Sequence, residues 1–268
     1  CLVGSEMCIR DREYNSYELM ANFYLSPVWQ LSGTINFSDN FILQNDSIID
    51  NVGGIGDLKV LVRYTLVNSV EREDSSANRF IHRVNLGAGV SLPTGSYNKY
   101  SIVGFVTEFK ANTILGSAEM ELDPHIQAGT GSFGYLGLLE YQVRYKSLGF
   151  NSNISYQINA TNKNNFRLSN RLNINNSLFF VVKLNDKIKL MPNMGIAYEQ
   201  SDYDIIEGAR YIDSGGEAAF FNQGLSLFVA NFNIGLTYYQ PIIQKLHGTQ
   251  PLNNRRIITQ LTYNLSLI

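Results

Sequence analysis

The sequence predicts an all-β protein, an antiparallel up-and-down transmembrane β-barrel of about 12 strands. Three observations predict it: apolar and polar residues alternate with a period of two, short and long connections take turns along the chain, and charged residues are scarce. Only 16% of the 268 residues are charged, against about 25% in an average soluble protein. No apolar run reaches the roughly 20 residues that a membrane-spanning helix requires.

The alternation is clearest in the stretch DLKVLVRYTLV. There, Leu58, Val60 and Val62 share one face of a strand, whereas Lys59 and Arg63 lie on the other face. The same period predicts eleven strands, and no segment shows a helical stripe. The predicted strands cover residues 17–25, 29–37, 58–67, 80–92, 133–146, 150–160, 166–184, 188–200, 219–229, 232–240 and 256–267.

The connections between these strands alternate in length. Most of the links on one side are turns of a few residues, and most of those on the other are long, such as residues 93–132 and 201–218. Short periplasmic turns alternating with long external loops are typical of outer-membrane barrels. Such barrels usually have an even number of strands, so we expect a further strand before residue 17. A hidden strand within residues 100–128 is the alternative.

The polar faces carry bulky charged and amide side chains, and the apolar faces carry aromatic residues near the strand ends. Both features favour a barrel with its apolar face toward lipid over a soluble β-sandwich or lipocalin-like carrier. The polar face has two interpretations. It could form a cationic field that selects solutes, or an internal hydrogen-bonded network that fills the lumen. The candidate lumen-lining residues are Lys59, Arg63, Glu140, Gln142, Arg144, Arg167, Arg171, Lys183 and Lys189.

Several other functions are disfavoured by the residues present. The net charge of −2 argues against a nucleic-acid partner. The GTGSFG stretch matches a dinucleotide-binding pattern, but a strand follows it where such a site needs a helix. The three histidines lack the spacing of metal ligands. We therefore predict no enzyme, metal or cofactor; Ser132 with His125 is the nearest candidate for a hydrolytic pair.

Four stretches together resemble a known family: GIGDLKVLVRYTL, SLPTGS, QAGTGSFGYLGLLEYQ and PIIQKLHGTQ. They are similar to the outer-membrane transporter family named for the meta-pathway of phenol degradation. The resemblance implies an outer-membrane β-barrel that passes small organic solutes, with outer-membrane lipid and the solute as partners and no catalytic residues. Aromatic or hydrophobic molecules are the candidate solutes. The alternative function is a non-conducting structural barrel, or one that binds partners through its long loops.

The first twelve residues differ from the rest of the chain because they contain both cysteines, Cys1 and Cys8. A lipid-anchored cysteine at Cys1 is disfavoured because no signal peptide precedes it in this sequence. A disulfide between Cys1 and Cys8 would close a segment that has no partner element. The stretch MCIRD is the translation of ATG-TGT-ATA-AGA-GAC, the core of a transposon end used in preparing sequencing libraries. We interpret residues 1–12 as an adapter remnant and expect residues 13–268 to form a single barrel domain.

Overall fold

The computed structural model describes residues 10–44, 47–69, 80–98, 100–105, 116–121 and 124–265. Within these ranges the chain forms eighteen β-strands and a 3-10 turn at Pro124–Ile126. The strands are β1 Arg10–Tyr24, β2 Trp29–Gln44, β3 Ser47–Ile55, β4 Leu58–Asn68, β5 Phe80–Leu92, β6 Tyr100–Phe105, β7 Gly116–Glu121, β8 Gly134–Tyr145, β9 Leu148–Asn159, β10 Phe166–Arg167, β11 Arg171–Phe180, β12 Val182–Lys183, β13 Ile188–Ser201, β14 Asp204–Ile206, β15 Ala209–Tyr211, β16 Gly216–Val229, β17 Phe232–Leu246 and β18 Arg256–Tyr263. None of the described residues belongs to a helix long and apolar enough to span a bilayer.

Eleven of these strands form one antiparallel sheet in the order β1-β2-β4-β5-β8-β9-β11-β13-β16-β17-β18. Each strand of this path pairs with the next long strand of the chain, as an up-and-down topology requires, and β3 and β12 add short ladders to β2 and β13. The eleven predicted strands correspond one to one to the path. The predicted fold class, an all-β antiparallel up-and-down sheet, is therefore confirmed.

The structure differs from the predicted strands near the N-terminus and in the longest loop. β1 begins at residue 10, not 17, and so includes residues 10–12 of the proposed adapter remnant; residues 1–9 lie outside the described residues. β6 and β7 pair with each other in a separate two-stranded sheet. The alternative of a hidden barrel strand within residues 100–128 is therefore wrong for the described part of that loop.

The predicted strand 166–184 is wrong as one continuous element, because it is divided into β10, β11 and β12. The first break lies at residues 168–170, where the polar groups bond outside the ladder. The Ser169 N–H donates to the Asp204 carboxylate at 2.6 Å, and the Asn170 side chain accepts the Asn159 N–H at 3.1 Å. β10 consequently joins β14 and β15 in a three-stranded sheet.

The connections divide the sheet into two ends. The turn end holds the links 25–28, 146–147, 181–187 and 230–231, and the loop end holds the described parts of the links between β2 and β4, β5 and β8, β9 and β11, β13 and β16, and β17 and β18. Local chemistry closes the short turns: Ser26 and Asn185 side chains accept backbone N–H groups at 3.0 and 2.8 Å. Lys146 and Ala230 adopt left-handed φ values of 53° and 49° in the two-residue turns.

The strand register separates an outer apolar face from an inner polar face. Trp29 lies opposite Tyr64, and their neighbours Gln30 and Arg63 lie opposite each other on the other face. In the described residues, eleven buried polar residues outnumber six buried apolar ones, while Trp29 and many other large apolar side chains are exposed. This distribution is the reverse of that in a soluble β-sandwich.

Side chains of strands that are not neighbours meet across the inner face. Arg63 on β4 reaches Asn22 on β1 at 3.5 Å, two strands away in the path. Arg256 on β18 reaches Glu199 on β13 at 2.6 Å, three strands away. Such contacts require the sheet to curl, so the polar inner face is its concave face.

Candidate functional site on the inner face

The strand register places seven of the nine candidate lumen-lining residues on the inner face of the eleven-strand path. They are Lys59, Arg63, Glu140, Gln142, Arg144, Arg171 and Lys189. The inner face is therefore rich in cations.

The other two candidates, Lys183 and Arg167, lie on strands outside the eleven-strand path. Lys183 shares the inner face of β12 with Lys189 across the ladder, but its ammonium pairs with Asp186 at 2.9 Å where both side chains are mostly exposed. Arg167 is exposed and lies in β10, outside the eleven-strand path, because the strand breaks at residues 168–170.

Arg63 and Glu140 are the centre of a hydrogen-bonded network in the middle of the inner face. Arg63 Nη1 donates to Ser32 Oγ at 2.8 Å, and its Nε lies 3.7 Å from Glu140 Oε1. Glu140 Oε2 accepts from the Asn85 amide at 2.9 Å, and Asn22 accepts from both Ser32 and Arg63. The charges of this pair are thus compensated within the protein, which favours the network interpretation for these two residues.

A second ion pair, which the sequence reasoning missed, joins Arg256 and Glu199 toward the loop end. Arg256 donates two parallel bonds to the Glu199 carboxylate at 2.6 and 3.1 Å, and its guanidinium lies 4.2 Å from the ring centre of the buried Phe220. Glu199 has the same parity as Lys189 on β13. The alternation along β13 could therefore have predicted that Glu199 faces inward.

A cavity of about 170 Å³ lies beside this ion pair. Amide and hydroxyl groups form most of its polar lining, and Tyr239 closes part of its apolar side. The lining includes Asn153, Ser155, Asn173, Asn175, Tyr239 and the Arg256–Glu199 pair. Its uncharged donors and acceptors suit water and hydroxyl groups.

A larger cavity of about 430 Å³ lies at the turn end. Three cations line it: Arg144 and Lys189, which were predicted, and Arg83, which was not. Arg83 shares the polar parity of β5 with Asn85, so the alternation itself was the signal for its place on the inner face.

Asp57 organises the loop end, and sequence reasoning missed it. The side chain is 4% exposed; its Oδ1 accepts the Gly95 N–H at 3.0 Å. Its Oδ2 accepts the Thr130 N–H at 2.9 Å and the Thr130 hydroxyl at 2.6 Å. Three of the four stretches that carry the family resemblance therefore meet at this carboxylate.

Two glycines allow these segments to approach each other closely. A Cβ atom on Gly129 would lie 2.7 Å from the Gly95 backbone, and one on Gly95 would lie 2.7 Å from the Gly56 carbonyl carbon. The Gly129 N–H donates to the Ser96 carbonyl at 2.9 Å. The GTGSFG stretch thus belongs to a junction between loops.

The 3-10 turn at Pro124–Ile126 links opposite parts of the loop end. The Asn40 amide on β2 donates to the Ile126 carbonyl at 2.8 Å, and His125 Nε2 lies 2.6 Å from Asp204 Oδ2. Asp204 is in the link between β13 and β16, and β13 is six strands from β2 along the path. The described turn Pro124–Ile126 in the link between β5 and β8 therefore crosses the loop end of the curled sheet.

The environment of Asp204 changes its pKa. Burial raises the pKa of this carboxyl, but the hydrogen bond from His125 and the N–H of Ser169 outweigh that effect and hold the pKa below its ordinary value of 3.8. The loop end therefore stabilises the ionised carboxylate of Asp204.

The candidate pair Ser132 and His125 is engaged by other groups. Ser132 is buried and donates to Thr130 Oγ1 at 3.3 Å, while His125 Nε2 faces Asp204. Among the described residues, no three His, Cys, Asp or Glu side chains are grouped so that they could hold a metal ion.

Comparison with known proteins reveals a likeness of fold. No family model and no curated protein matches the chain, so the family resemblance stays a prediction. An outer membrane channel from Pseudomonas putida F1 has a similar structure, with a TM-score of 0.62 and 12% sequence identity over 95% of this chain and 83% of the channel. At this identity the likeness supports the fold.

We predict that Asp57→Ala lowers the free energy of unfolding by about 3 kcal/mol, because two backbone N–H groups and the Thr130 hydroxyl lose a buried charged acceptor. Urea unfolding in detergent micelles measures the change. Asp202→Ala is the matched control, since Asp202 is exposed. Equal stability of the Asp57 and Asp202 variants would contradict the role of Asp57.

The lowered pKa of Asp204 predicts a pH-dependent loop end. The stabilisation is complete above the unfolded value of about 3.8 and is lost as the pH falls through the lower folded-state value. Hydrogen exchange of residues 202–215, corrected for intrinsic rates, should be about tenfold faster in Asp204→Asn than in the wild type at pH 6. The difference should shrink at acidic pH; a difference that stays constant down to pH 2 argues against the mechanism.

Proposed function

We propose that the protein is a channel of the bacterial outer membrane that passes small organic solutes. The observation that carries the proposal is the reversed polarity of the curled sheet, with apolar side chains outside and ion pairs inside. In a bilayer, an antiparallel barrel satisfies its backbone groups between strands and presents apolar side chains to lipid. The polar interior then provides a path for solutes.

The similarity of fold to an outer membrane channel supports this proposal. The resemblance to the meta-pathway family supports the same function and adds small organic molecules as the solute class. Aromatic residues on the outer face, such as Trp29 against Tyr64 with ring centres 4.7 Å apart near the turn end, suit a membrane–water interface.

The cations of the inner face would determine whether the channel favours anions or cations. Glu140 and Glu199 compensate Arg63 and Arg256, but in the described residues no carboxylate forms an ion pair with Lys59 or Arg171. A surplus of positive charge along a lumen attracts anions and repels cations. We therefore expect a channel that favours anions.

A closed barrel is the second candidate function, and the loop end favours it. The link that crosses from Asn40 to Asp204 lies where solutes would enter. In this alternative the loops bind a partner and the inner network fills the lumen.

Recordings from planar bilayers test the proposal. We predict discrete channel openings, and a reversal potential in a KCl gradient that indicates anion preference. Arg171→Glu should shift the reversal potential toward cation preference, because it reverses a charge on the inner face. Arg167→Glu is the matched control: it makes the same change four residues away, outside the eleven-strand path, and should leave the potential unchanged.

Heat-modifiable migration on a gel verifies that each variant is folded. The absence of openings from a folded protein would favour the closed barrel. If the chain is freely soluble without detergent, the proposed location in the outer membrane is wrong.

A further inference from the structure

The turn-end cavity combines cations with an apolar wall. Strands β4, β5, β8, β11, β13 and β16 and the residue before β12 contribute to it. Its lining consists of Asn68, Ile81, Arg83, Gln142, Arg144, Phe179, Val181, Lys189, Met191 and Phe228. Its volume of about 430 Å³ lies within the range of about 300–1,000 Å³ that is typical of small-molecule sites.

Gly149 on β9 positions an aromatic wall of this cavity. It lies opposite both Arg144 on β8 and Phe179 on β11. A Cβ atom at Gly149 would overlap the Phe179 ring, so the ring lies against the β9 backbone and is only 7% exposed. The Phe179 ring therefore fills the place of the missing side chain and forms an aromatic wall of the cavity, a recess that Arg144 also lines.

Arg83 and Arg144 lie close together in the recess, and in the described residues none of its three cations has a carboxylate partner. Arg83 lies opposite Gln142 in the β5–β8 ladder, and Arg144 follows two residues later on the same face. Diagonal neighbours of this kind have Cβ atoms about 7 Å apart. Lys189 lies opposite Phe228 in the β13–β16 ladder. In the described parts of the chain no Asp or Glu forms an ion pair with any of the three cations.

This arrangement differs from the rest of the inner face. Arg63 and Arg256 each have a carboxylate within 4 Å, whereas among the described residues no carboxylate forms an ion pair with the turn-end cations. Like charges in a partly desolvated site are unfavourable until an opposite charge enters. A mobile anion supplies that charge.

We propose that the turn-end cavity is a binding subsite for small organic anions in which a carboxylate is attached to a single aromatic or apolar ring. The Arg83 and Arg144 guanidinium groups match a carboxylate with paired hydrogen bonds. Phe179, Phe228 and Met191 contact the ring. The subsite deepens the proposed channel function by naming the class of solute.

The cationic side and the aromatic side of the recess each disfavour a ligand that matches only the other. An inorganic anion makes no use of the two phenylalanines, and a neutral aromatic molecule leaves the cations uncompensated. Both parts of the ligand are therefore needed for the tightest binding.

The test measures binding separately from conduction. The full chain in detergent micelles is titrated with 4-fluorobenzoate, and fluorine NMR relaxation reports the bound fraction. Parallel titrations use 4-fluorobenzyl alcohol, which lacks the charge, and fluoroacetate, which lacks the ring. We expect 4-fluorobenzoate to bind at least about tenfold more tightly than either analogue.

Paired variants locate the subsite. Arg83→Gln/Arg144→Gln should weaken 4-fluorobenzoate binding by about tenfold or more, because both guanidinium groups are lost. Arg167→Gln/Arg210→Gln is the matched control: it removes the same net charge at two exposed positions outside the inner face and should leave the affinity unchanged. Phe228→Ala should weaken 4-fluorobenzoate but leave fluoroacetate unaffected, since only the ring contact is lost.

Equal affinity in the two double variants, with both proteins folded by gel migration, would overturn the subsite. Equal affinity for fluoroacetate and 4-fluorobenzoate would overturn its aromatic part. Because micelle binding requires no open pore, a chain that binds 4-fluorobenzoate yet never conducts refutes the channel and retains the subsite. A chain that conducts without such binding refutes the subsite alone.

Discussion

The register of the antiparallel ladders is the constraint on which the rest of the structure depends. Each strand directs one parity of its residues inward, and a slip of one residue in any pair would exchange its two faces. The register that places Arg63 opposite Gln30 also places Trp29 opposite Tyr64. A single set of backbone hydrogen bonds therefore produces both the apolar exterior and the charged interior.

The interior that results is electrically uneven. Two arginines are neutralised by glutamates on strands two or three positions away in the path, Arg63 by Glu140 and Arg256 by Glu199, and these pairs stiffen the middle and the loop end. At the turn end, cations without an ion-pair partner among the described residues lie beside aromatic side chains. One concave face thus combines a hydrogen-bonded network with a separate group of cations and aromatic side chains.

Buried carboxylates perform a related task at the loop end. Asp57 and Asp204 are 4% and 2% exposed, and each accepts a backbone N–H from a link distant in the sequence. Backbone donors satisfy a buried carboxylate without a full ion pair. The long links are thereby fastened to the strand ends, and the turn containing His125 is held across the opening of the curled sheet.

The sequence alone determined the eleven strands, their order and the inward orientation of residues such as Arg63 and Arg144, because the period of two is a local property of the chain. It did not reveal the break before Arg171, the bonds of Asp57, or the pairing of His125 with Asp204. Those partners are between 35 and 79 residues apart. Only the tertiary structure decided them, because the positions of the long links depend on how the whole sheet curls.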